Sequence, residues 1–288
     1  MTSGVFFFGL TMALDCVVKL GGSAVTVKDE LETLRVGELR RAAALISRLC
    51  QEGKRAVVVH GAGSFGHFQA KEYQVAKGRA VTEGSDGIDR MRTGLCLTRL
   101  SVTKLNLMII EELVKAGVPA VGLSAFGIWK TAGRRVIQHN ISSVHDVLAA
   151  GYVPVLHGDC VLDSNQHCCI LSGDTIIEVM CEEFIPKRVV FLTDVAGIYD
   201  QPPHMPGSQL LSQVSFRADG SLALPIQTAS LPHDTTGGIS NKLRTAVNIL
   251  LNSKGATRVF ICDIDSEQVL LQGVVRKNGG TELSIEGS

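Results

Sequence analysis

Short apolar runs alternate along the chain with longer segments in which apolar residues recur at helical spacing. The runs predict strands in CVVKL (Cys16 to Leu20), AVVVH, VPAVGL, VPVLHGD (Val153 to Asp159), RVVFLTDV and TRVFICD. The helical spacing predicts helices over Asp29 to Cys50, in SFGHFQAKEY, and over Gly87 to Ala116, Gly173 to Phe184 and Ile239 to Asn252. Val/Ile-rich strands separated by helices are typical of a mostly parallel sheet covered on both faces. The pattern therefore predicts an α/β fold.

Glycine-bearing stretches follow four of these predicted strands directly. They read GGS, HGAGSFGH, HGD and TDVAG. Ligands of open parallel sheets bind outside the carboxyl ends of the strands, so we expect the functional site at these four ends. The segment from Gln201 to Asp234 is rich in Pro, Gly and Ser, and it predicts a long excursion or lid rather than a linker.

Composition narrows the class of protein. The chain has 288 residues, 45% of them hydrophobic and 19% charged, which is ordinary for a globular enzyme of one large domain or two small ones. Its 28 basic and 28 acidic residues give a formal net charge of zero, which argues against a broad nucleic-acid or anionic-membrane surface. GVFFFGLTMAL near the start is too short to span a membrane and lacks the charged flank of a signal peptide. We interpret it as an extension or an extra strand.

The eight cysteines indicate a reducing compartment. None forms C-x-x-C and several lie inside apolar runs, so we predict free buried thiols and a cytoplasmic protein. A zinc site built from Cys160, His167, Cys168 and Cys169 is disfavoured, because no second ligand pair has suitable spacing.

The stretch VVVHGAGSFGH carries a G-x-G-x-x-G pattern at Gly61, Gly63 and Gly66. This pattern can bind NAD, but an acidic residue should then end the next strand about 20 residues on. Counting from Gly61 leads into KGRAVTEGSDG, which does not read as a strand. The stretch is therefore predicted to bind another phosphate through backbone N–H groups that glycine leaves accessible.

Two further glycine turns strengthen the phosphate interpretation. One spans Gly21 to Ser23, and another, Thr235 to Gly238, opens the helix that holds Lys242. Lys19 and Lys28 lie beside the first of these turns. Three lysines beside glycine turns suggest cations gathered around phosphates, as phosphoryl transfer requires. The chain contains no G-x-x-x-x-G-K-[ST], so it is not a P-loop NTPase.

Taken in order, these motifs resemble the amino acid kinase superfamily. The resemblance rests on VVKLGGSAVTVK, VVVHGAGSFGH, VPVLHGD, ILSGD, FLTDVAGIYD and DTTGGISNKL, and it spans nearly the whole chain from Cys16. Within the superfamily the motifs are most similar to the isopentenyl phosphate kinases, because His67 is characteristic of these enzymes and their fosfomycin kinase relatives. The resemblance implies an open three-layer αβα sandwich with a mostly parallel central sheet.

The resemblance also implies a division of labour along the chain. Residues 1–14 would be an N-terminal extension and residues 15–288 a single kinase-type domain. Its N-terminal half would bind the phosphate acceptor and dimerise, and its C-terminal half, from about residue 170, would bind the nucleotide. The partners implied are ATP with Mg²⁺, isopentenyl phosphate and a second copy of the chain, without nucleic acid or membrane.

Site residues follow by matching the family motifs. The ATP phosphates would be held by Lys19, Gly21, Gly22, Ser23 and Gly63. The rest of the nucleotide would be contacted by Asp194, Gly238 and Lys242. The acceptor phosphate would be held by Ala62, His67 and Gly158. Lys28 would stabilise the transition state, and Asp174 would orient the catalytic lysines. No protein metal ligands are implied, since ATP would carry the Mg²⁺. Alanine at position 62, where relatives often have glycine, should be tolerated if its φ is negative.

The chemistry implied is in-line transfer of a phosphoryl group to a phosphate. A phosphate monoester has a second pKa of about 6, so the attacking oxygen is already ionised and needs no general base. The resemblance implies that Lys19, Lys28, Lys242, Mg²⁺ and backbone N–H groups would offset the repulsion between the two anionic groups and stabilise the in-line transition state. Two alternatives stay open: a kinase of the same fold acting on a fosfomycin-like phosphonate or an acylated amino acid, and a catalytically inactive binding protein.

Three polar residues near the strand ends receive other interpretations. His60 and His157 are predicted to bond the backbone rather than to act as acid or base. Asp159 could contact substrate or cap a turn, and the sequence favours neither.

Overall fold

The structure of the chain is a computed structural model that describes residues 13–78, 85–201, 203, 205–223, 238–276 and 279–287. The strands are β1 (Cys16–Leu20), β2 (Ala56–His60), β3 (Ala120–Gly122), β4 (Lys130–Ala132), β5 (Arg135–Gln138), β6 (Val153–His157), β7 (Asp159–Asp163), β8 (His167–Leu171), β9 (Arg188–Leu192), β10 (Ile198–Tyr199), β11 (Leu210–Leu211), β12 (Gln213–Phe216), β13 (Arg258–Cys262) and β14 (Thr281–Ile285). The helices are α1 (Gly22–Val25), α2 (Val36–Gln51), α3 (His67–Glu72), α4 (Ser85–Lys115), α5 (Ile141–Ala149), α6 (Gly173–Phe184), α7 (Gly238–Asn252) and α8 (Glu267–Gln272). Short 3₁₀ turns occupy Gly63–Phe65 and Val75–Lys77.

Within the described residues the central sheet has eight strands in the order β12-β14-β13-β9-β1-β2-β6-β3. From β13 to β3 every pair is parallel, whereas β14 runs antiparallel to β13. β1 lies between β2 and β9, with Leu20 level with both His60 and Leu192. His60 is in turn level with His157 of β6. Four strands therefore end side by side at one edge.

Alternating side chains of the central strands enter two separate cores. Val57 and Val59 of β2 pack on one face with α5, α6 and α7, and Val58 packs on the other with α2, α4 and α8. All three valines are fully buried, because the sheet is covered on both sides. The open three-layer αβα sandwich with a mostly parallel sheet is thus confirmed.

A smaller sheet of order β5-β4-β7-β8 extends from the carboxyl end of β6. Asp163, at the turn between β7 and β8, accepts hydrogen bonds from the Thr131 hydroxyl at 2.8 Å and from backbone N–H groups of Gly133 and Arg134 at 3.1 and 2.8 Å. These bonds hold the pKa of Asp163 well below its usual range even though burial opposes that shift. The sequence pattern did not predict this sheet, nor α5 and β14.

Most predicted strands of the central sheet and their helices are confirmed, but several boundaries are wrong, including the following two. The helix predicted over Asp29 to Cys50 begins only at Val36, because the preceding residues form a loop closed by a Thr26–Leu34 bridge. Leu31 is 56% exposed on that loop. The strand predicted to run to Asp159 ends at His157, and Asp159 begins β7 of the smaller sheet.

Two predictions fall wholly or partly on residues outside those described. They concern the N-terminal extension, of which residues 1–12 are not described, and the excursion from Gln201 to Asp234, of which 202, 204 and 224–234 are not. Leu14, assigned to the extension, is already buried in the core at 1% exposure. In the described part of the chain, no helix combines the length and apolar character needed to cross a membrane.

Candidate active site

The glycine turns after β1 and β2 lie against each other where the strands end level. A Cβ added to Gly22 would lie 2.5 Å from the backbone nitrogen of Gly63, so only glycine allows this approach. Gly63 itself has φ +51°, and a Cβ there would lie 2.2 Å from the Thr26 hydroxyl oxygen. That hydroxyl donates to the Gly22 carbonyl at 2.8 Å and accepts from the Ser64 N–H at 3.1 Å. The two turns therefore form one rigid backbone surface.

Lys19 stands beneath this surface at the end of β1. Its side chain is only 6% exposed and forms an ion pair with Asp174 in the first turn of α6. The helix begins there because Ser172 caps it, accepting from the Thr175 N–H at 3.0 Å. A buried ammonium needs such a partner, and the N-terminus of α6 in turn favours the Asp174 carboxylate. The sequence-predicted pairing of Asp174 with a catalytic lysine is thus present for Lys19.

Lys28 reaches the same region from the loop between α1 and α2. It is exposed and makes no ion pair with a residue of the described ranges. Glu32 fastens this loop to α4 by accepting from the Ser101 hydroxyl at 2.6 Å and from Lys104 at 2.5 Å. These two bonds hold the pKa of Glu32 below its usual value. This tether could not be predicted from the sequence, because Glu32 and its two partners are some seventy positions apart.

His67 is the first residue of α3 and follows the second glycine turn directly. Partial burial, followed by the positive charge of Lys28, lowers its pKa. Its imidazole is therefore neutral at neutral pH and keeps one N–H that can donate a hydrogen bond. Five residues earlier in the chain, Ala62 has φ −73° and ψ −32°, so the prediction that alanine fits there is confirmed.

His60 and His157 bond the backbone, as predicted. The Nδ1 atom of His60 lies 3.0 Å from the Gly61 carbonyl, and that of His157 lies 2.9 Å from the Gly158 carbonyl. Burial, followed by the charge of His157, lowers the pKa of His60 to about 3. The pair stacks at 5.2 Å between ring centroids, so the two rings hold the ends of β2 and β6 together.

Asp159 makes a structural ion pair that the sequence did not predict. Its side chain is fully buried and receives the Arg99 guanidinium through contacts of 3.1 to 3.2 Å. Arg99 also stacks over Phe126 at 4.1 Å from the ring centroid. Asp159 lines the cavity described next, whereas Arg99 is not among the described residues that line it.

One cavity of about 500 Å³ joins these parts. It is lined by nearly all of the sequence-predicted site residues, namely Lys19, Gly21, Gly22, Ser23, Lys28, Ala62, Gly63, His67, Gly158, Asp174, Asp194 and Lys242. Ser23 donates to Asp194 at 2.8 Å and so links the turns after β1 and β9. Gly238 begins α7, the helix that carries Lys242.

The cavity has one polar and one apolar part. Lysines, glycine backbone and the aspartates Asp159, Asp174 and Asp194 form the polar part. Ala70, Val102, Cys160 and Ile170 line the apolar part, on α3, α4 and the smaller sheet. Burial raises the pKa of the Cys160 thiol, so Cys160 is a neutral apolar group here. Such a site suits an anionic group carrying a short hydrocarbon tail.

Glycine turns, buried lysine and level strand ends define an α/β phosphotransfer fold, and comparison with known proteins identifies its class. The sequence profile of the Amino acid kinase family matches residues 16–263. The chain is 36% identical to isopentenyl phosphate kinase of Arabidopsis thaliana, over 82% of this chain and 84% of that protein. It is 34% identical to isopentenyl phosphate kinase of Methanothermobacter thermautotrophicus, over 85% of this chain and 90% of that protein.

Solved structures agree with these relatives. An X-ray structure of isopentenyl phosphate kinase superposes with a TM-score of 0.75 at 28% identity, and the superposition covers 93% of this chain and 99% of that one. Carbamate kinase from Giardia lamblia shares the fold alone, with a TM-score of 0.65 at 14% identity over 96% of this chain and 100% of that one. The chain belongs to the amino acid kinase family and, within it, to the isopentenyl phosphate kinases.

Proposed function

We propose that the chain is an ATP-dependent kinase that converts isopentenyl phosphate to isopentenyl diphosphate. The observation that carries this proposal is the single cavity in which the Lys19–Asp174 pair, Lys28 and His67 face glycine backbone at one end and an apolar lining at the other. The related proteins named isopentenyl phosphate kinase support the same acceptor.

In the proposed complex, the residues divide between donor and acceptor. The ATP phosphates lie against Lys19, Gly21, Gly22, Ser23 and Gly63. Asp194, Gly238 and Lys242 contact the remainder of the nucleotide. Ala62, His67 and Gly158 hold the acceptor phosphate. This division places the acceptor in the N-terminal half of residues 15–288 and the nucleotide in the half from about residue 170.

The proposed chemistry needs charge neutralisation rather than a base. The acceptor oxygen is already ionised at neutral pH, since the second pKa of a phosphate monoester is about 6. Lys19 and Lys28 offset repulsion between the two anions, and Lys28 on its tethered loop stabilises the charge of the in-line transition state. Asp174 holds the Lys19 ammonium in place, and His67 donates its N–H to the acceptor phosphate.

In this proposal, Mg²⁺ enters the site bound to ATP. The described residues contain no group of three or more His, Cys, Asp or Glu side chains able to hold a metal ion by themselves. When bound to the ATP phosphates, Mg²⁺ supplies further neutralisation of the transferred charge. Asp159, Asp174 and Asp194 are the aspartates that line the cavity.

The proposal extends to a homodimer and to the cytoplasm. Along the outer face of α4, Leu100, Leu107 and Val114 are 71%, 66% and 54% exposed and recur every seventh residue. A seam of this spacing suits pairing with the same helix of a second copy. Leu107→Glu should convert a dimer into a monomer in sedimentation equilibrium.

The cysteines are all free thiols, which supports a reducing compartment such as the cytoplasm.

A coupled assay of ADP release tests the acceptor. Isopentenyl phosphate, fosfomycin and N-acetylglutamate are compared in parallel at equal concentrations. We expect isopentenyl phosphate to give the highest kcat/KM, because no arginine is among the described residues that line the apolar part to pair with a carboxylate. Preference for either other acceptor would contradict the assignment, and absence of turnover with all three would favour an inactive binding protein.

The variant His67→Ala tests whether this side chain holds the acceptor phosphate. Loss of its N–H should severely depress turnover on isopentenyl phosphate, while circular dichroism should show a folded chain. Near-normal kinetics would remove His67 from the site.

A further inference from the structure

Thr98 of α4 is a polar residue of the cavity wall that the family motifs do not include. It is 5% exposed and lines the cavity, yet its hydroxyl has no hydrogen-bond partner among the described residues. A threonine inside a helix ordinarily bonds the carbonyl four residues earlier. A buried hydroxyl without a hydrogen-bond partner is unfavourable. In the wall of a cavity, it indicates that a bound ligand supplies the missing hydrogen bond.

The surroundings of Thr98 place it beside the proposed acceptor phosphate. A Cβ built on Gly66 would lie 3.9 Å from the Thr98 methyl and 2.8 Å from the Ala62 Cβ. Thr98 therefore packs on the short segment that runs from Ala62 to His67. One helical turn further along α4, Val102 lies 3.9 Å from the same point and is apolar. Thr98 thus packs on the segment that carries the two proposed phosphate ligands, one helical turn from the apolar Val102.

Two other polar side chains of α4 near Thr98 are already engaged. The Arg99 guanidinium pairs with Asp159, and Ser101 donates to Glu32. Among the described residues, the Thr98 hydroxyl differs from them because it has no partner for either its donor or its acceptor capacity.

We propose that the Thr98 hydroxyl donates a hydrogen bond to the phosphate of the acceptor and is a specificity-determining residue. The proposal rests on the kinase function proposed above. A phosphate monoester presents three terminal oxygens, whereas a carboxylate presents two, so a site for phosphate needs additional donors. Thr98 supplies one from α4, in addition to the Ala62 N–H and the His67 imidazole. It thereby favours a phosphorylated acceptor over a carboxylic acid of similar length.

The near-isosteric variant Thr98→Val tests this role. Because a hydrogen bond to a charged group is lost, we expect KM for isopentenyl phosphate to rise about 10-fold or more, with KM for ATP unchanged. Thr98→Ser retains the hydroxyl and should restore most of the affinity. A purely structural role would instead change thermal stability or alter both KM values together, and that result would overturn the proposal.

A matched control is available in Thr257. Its hydroxyl is also fully buried and without a partner among the described residues, but it lies just before β13, away from the cavity. Thr257→Val should leave both KM values at the wild-type level. A rise in the acceptor KM equal to that of Thr98→Val would overturn the proposal.

Calorimetric titration of isopentenyl phosphate separates failure of this proposal from failure of the proposed function. Binding to the wild type that weakens in Thr98→Val, without turnover in either, would contradict the kinase function and uphold Thr98. Equal binding to both proteins would overturn the role of Thr98 whatever the turnover. Absence of binding to the wild type would overturn both.

Discussion

The two ends of the central sheet both gather basic side chains, but they use them differently. At the amino end, Lys187 pairs with Asp15 at 2.7 Å and Arg258 pairs with Glu282 at 2.8 Å. Arg188 and Lys54 donate to the carbonyl of Leu271 at 2.9 and 2.6 Å. At the carboxyl end, Lys19 is the buried partner of Asp174, and Lys28 makes no ion pair with the described residues.

Glycine accounts for much of this difference. Around the carboxyl end, Gly21, Gly22 and Gly63 leave no side chains between the cations and the backbone. At the amino end, each of these basic side chains is paired with an acidic side chain or donates a hydrogen bond to the carbonyl of Leu271 in α8. The comparison indicates that basic residues alone do not mark a site: the site lies where cations and backbone N–H groups face a cavity together.

The largest contrast is expected between lysines of the two ends. Lys28→Ala should lower kcat by about 10²–10³-fold, because its charge acts mainly in the transition state. Lys187→Ala should leave kcat unchanged and alter stability by at most about 1 kcal/mol, since its pair is exposed. Steady-state kinetics and urea denaturation measure both. An effect of Lys28→Ala confined to KM would make this lysine a ground-state binder.

Two glycines with positive φ sharpen the comparison next. Gly53 has φ +71° with no atom within 4 Å of an added Cβ, whereas Gly63 has φ +51° and would clash with Thr26. Gly53→Ala should destabilise by about 1–2 kcal/mol through backbone strain alone. Gly63→Ala should destabilise by about 2–5 kcal/mol, because overpacking is added, and should remove most activity. Equal losses of stability and activity in both variants would show that close approach of the turns is unimportant.

The tether of the Lys28 loop is expected to have a smaller effect. Glu32→Gln should lower kcat several-fold, and in a Lys28→Ala background it should add little, because Glu32 acts through Lys28. Glu112→Gln is a matched control, since the carboxylate of Glu112 on α4 likewise contacts two side chains, Arg40 of α2 and Lys115 of α4. A full additional loss in the Lys28→Ala background would contradict the tether.

Glu32 also predicts a pH dependence of stability. Its pKa in the folded protein lies below the ordinary value of 4.5, so its contribution is present above that value. The stability difference between wild type and Glu32→Gln should shrink as the pH falls below 4.5 through the folded-state pKa. A difference that is constant over this range would rule out the charged pairing.

The smallest expected effect concerns His67. Because Lys28 is the second cause of its lowered pKa, Lys28→Ala should raise the pKa of His67 partway toward 6.5. The remaining depression comes from burial, the larger cause. Titration of the His67 imidazole by NMR measures this shift. An unchanged pKa would place Lys28 too far from His67 to share its phosphate.

The carboxyl end of the sheet could be predicted largely from sequence. Strands β1, β2 and β6 are continuous apolar runs followed directly by glycine, so the sequence marks both the strand end and the turn. Lys19 and Asp174 could be paired only through the family motifs. The smaller sheet was missed because strands such as KTA and RVIQ are short, and because KTA also pairs with the distant strand β7. Glu32, Arg99 and Thr98 were missed for a related reason: their roles depend on which face of α4 meets a remote loop.

The most direct measurement is a ³¹P NMR spectrum of the protein with ATP, Mg²⁺ and isopentenyl phosphate. If the carboxyl end of the sheet transfers a phosphoryl group to a phosphate, the monoester singlet should be replaced by the two coupled doublets of a diphosphate as ADP forms. The Lys28→Ala variant should slow this conversion by the same factor as kcat. Inorganic phosphate formed with ADP while the monoester singlet persists would contradict the account.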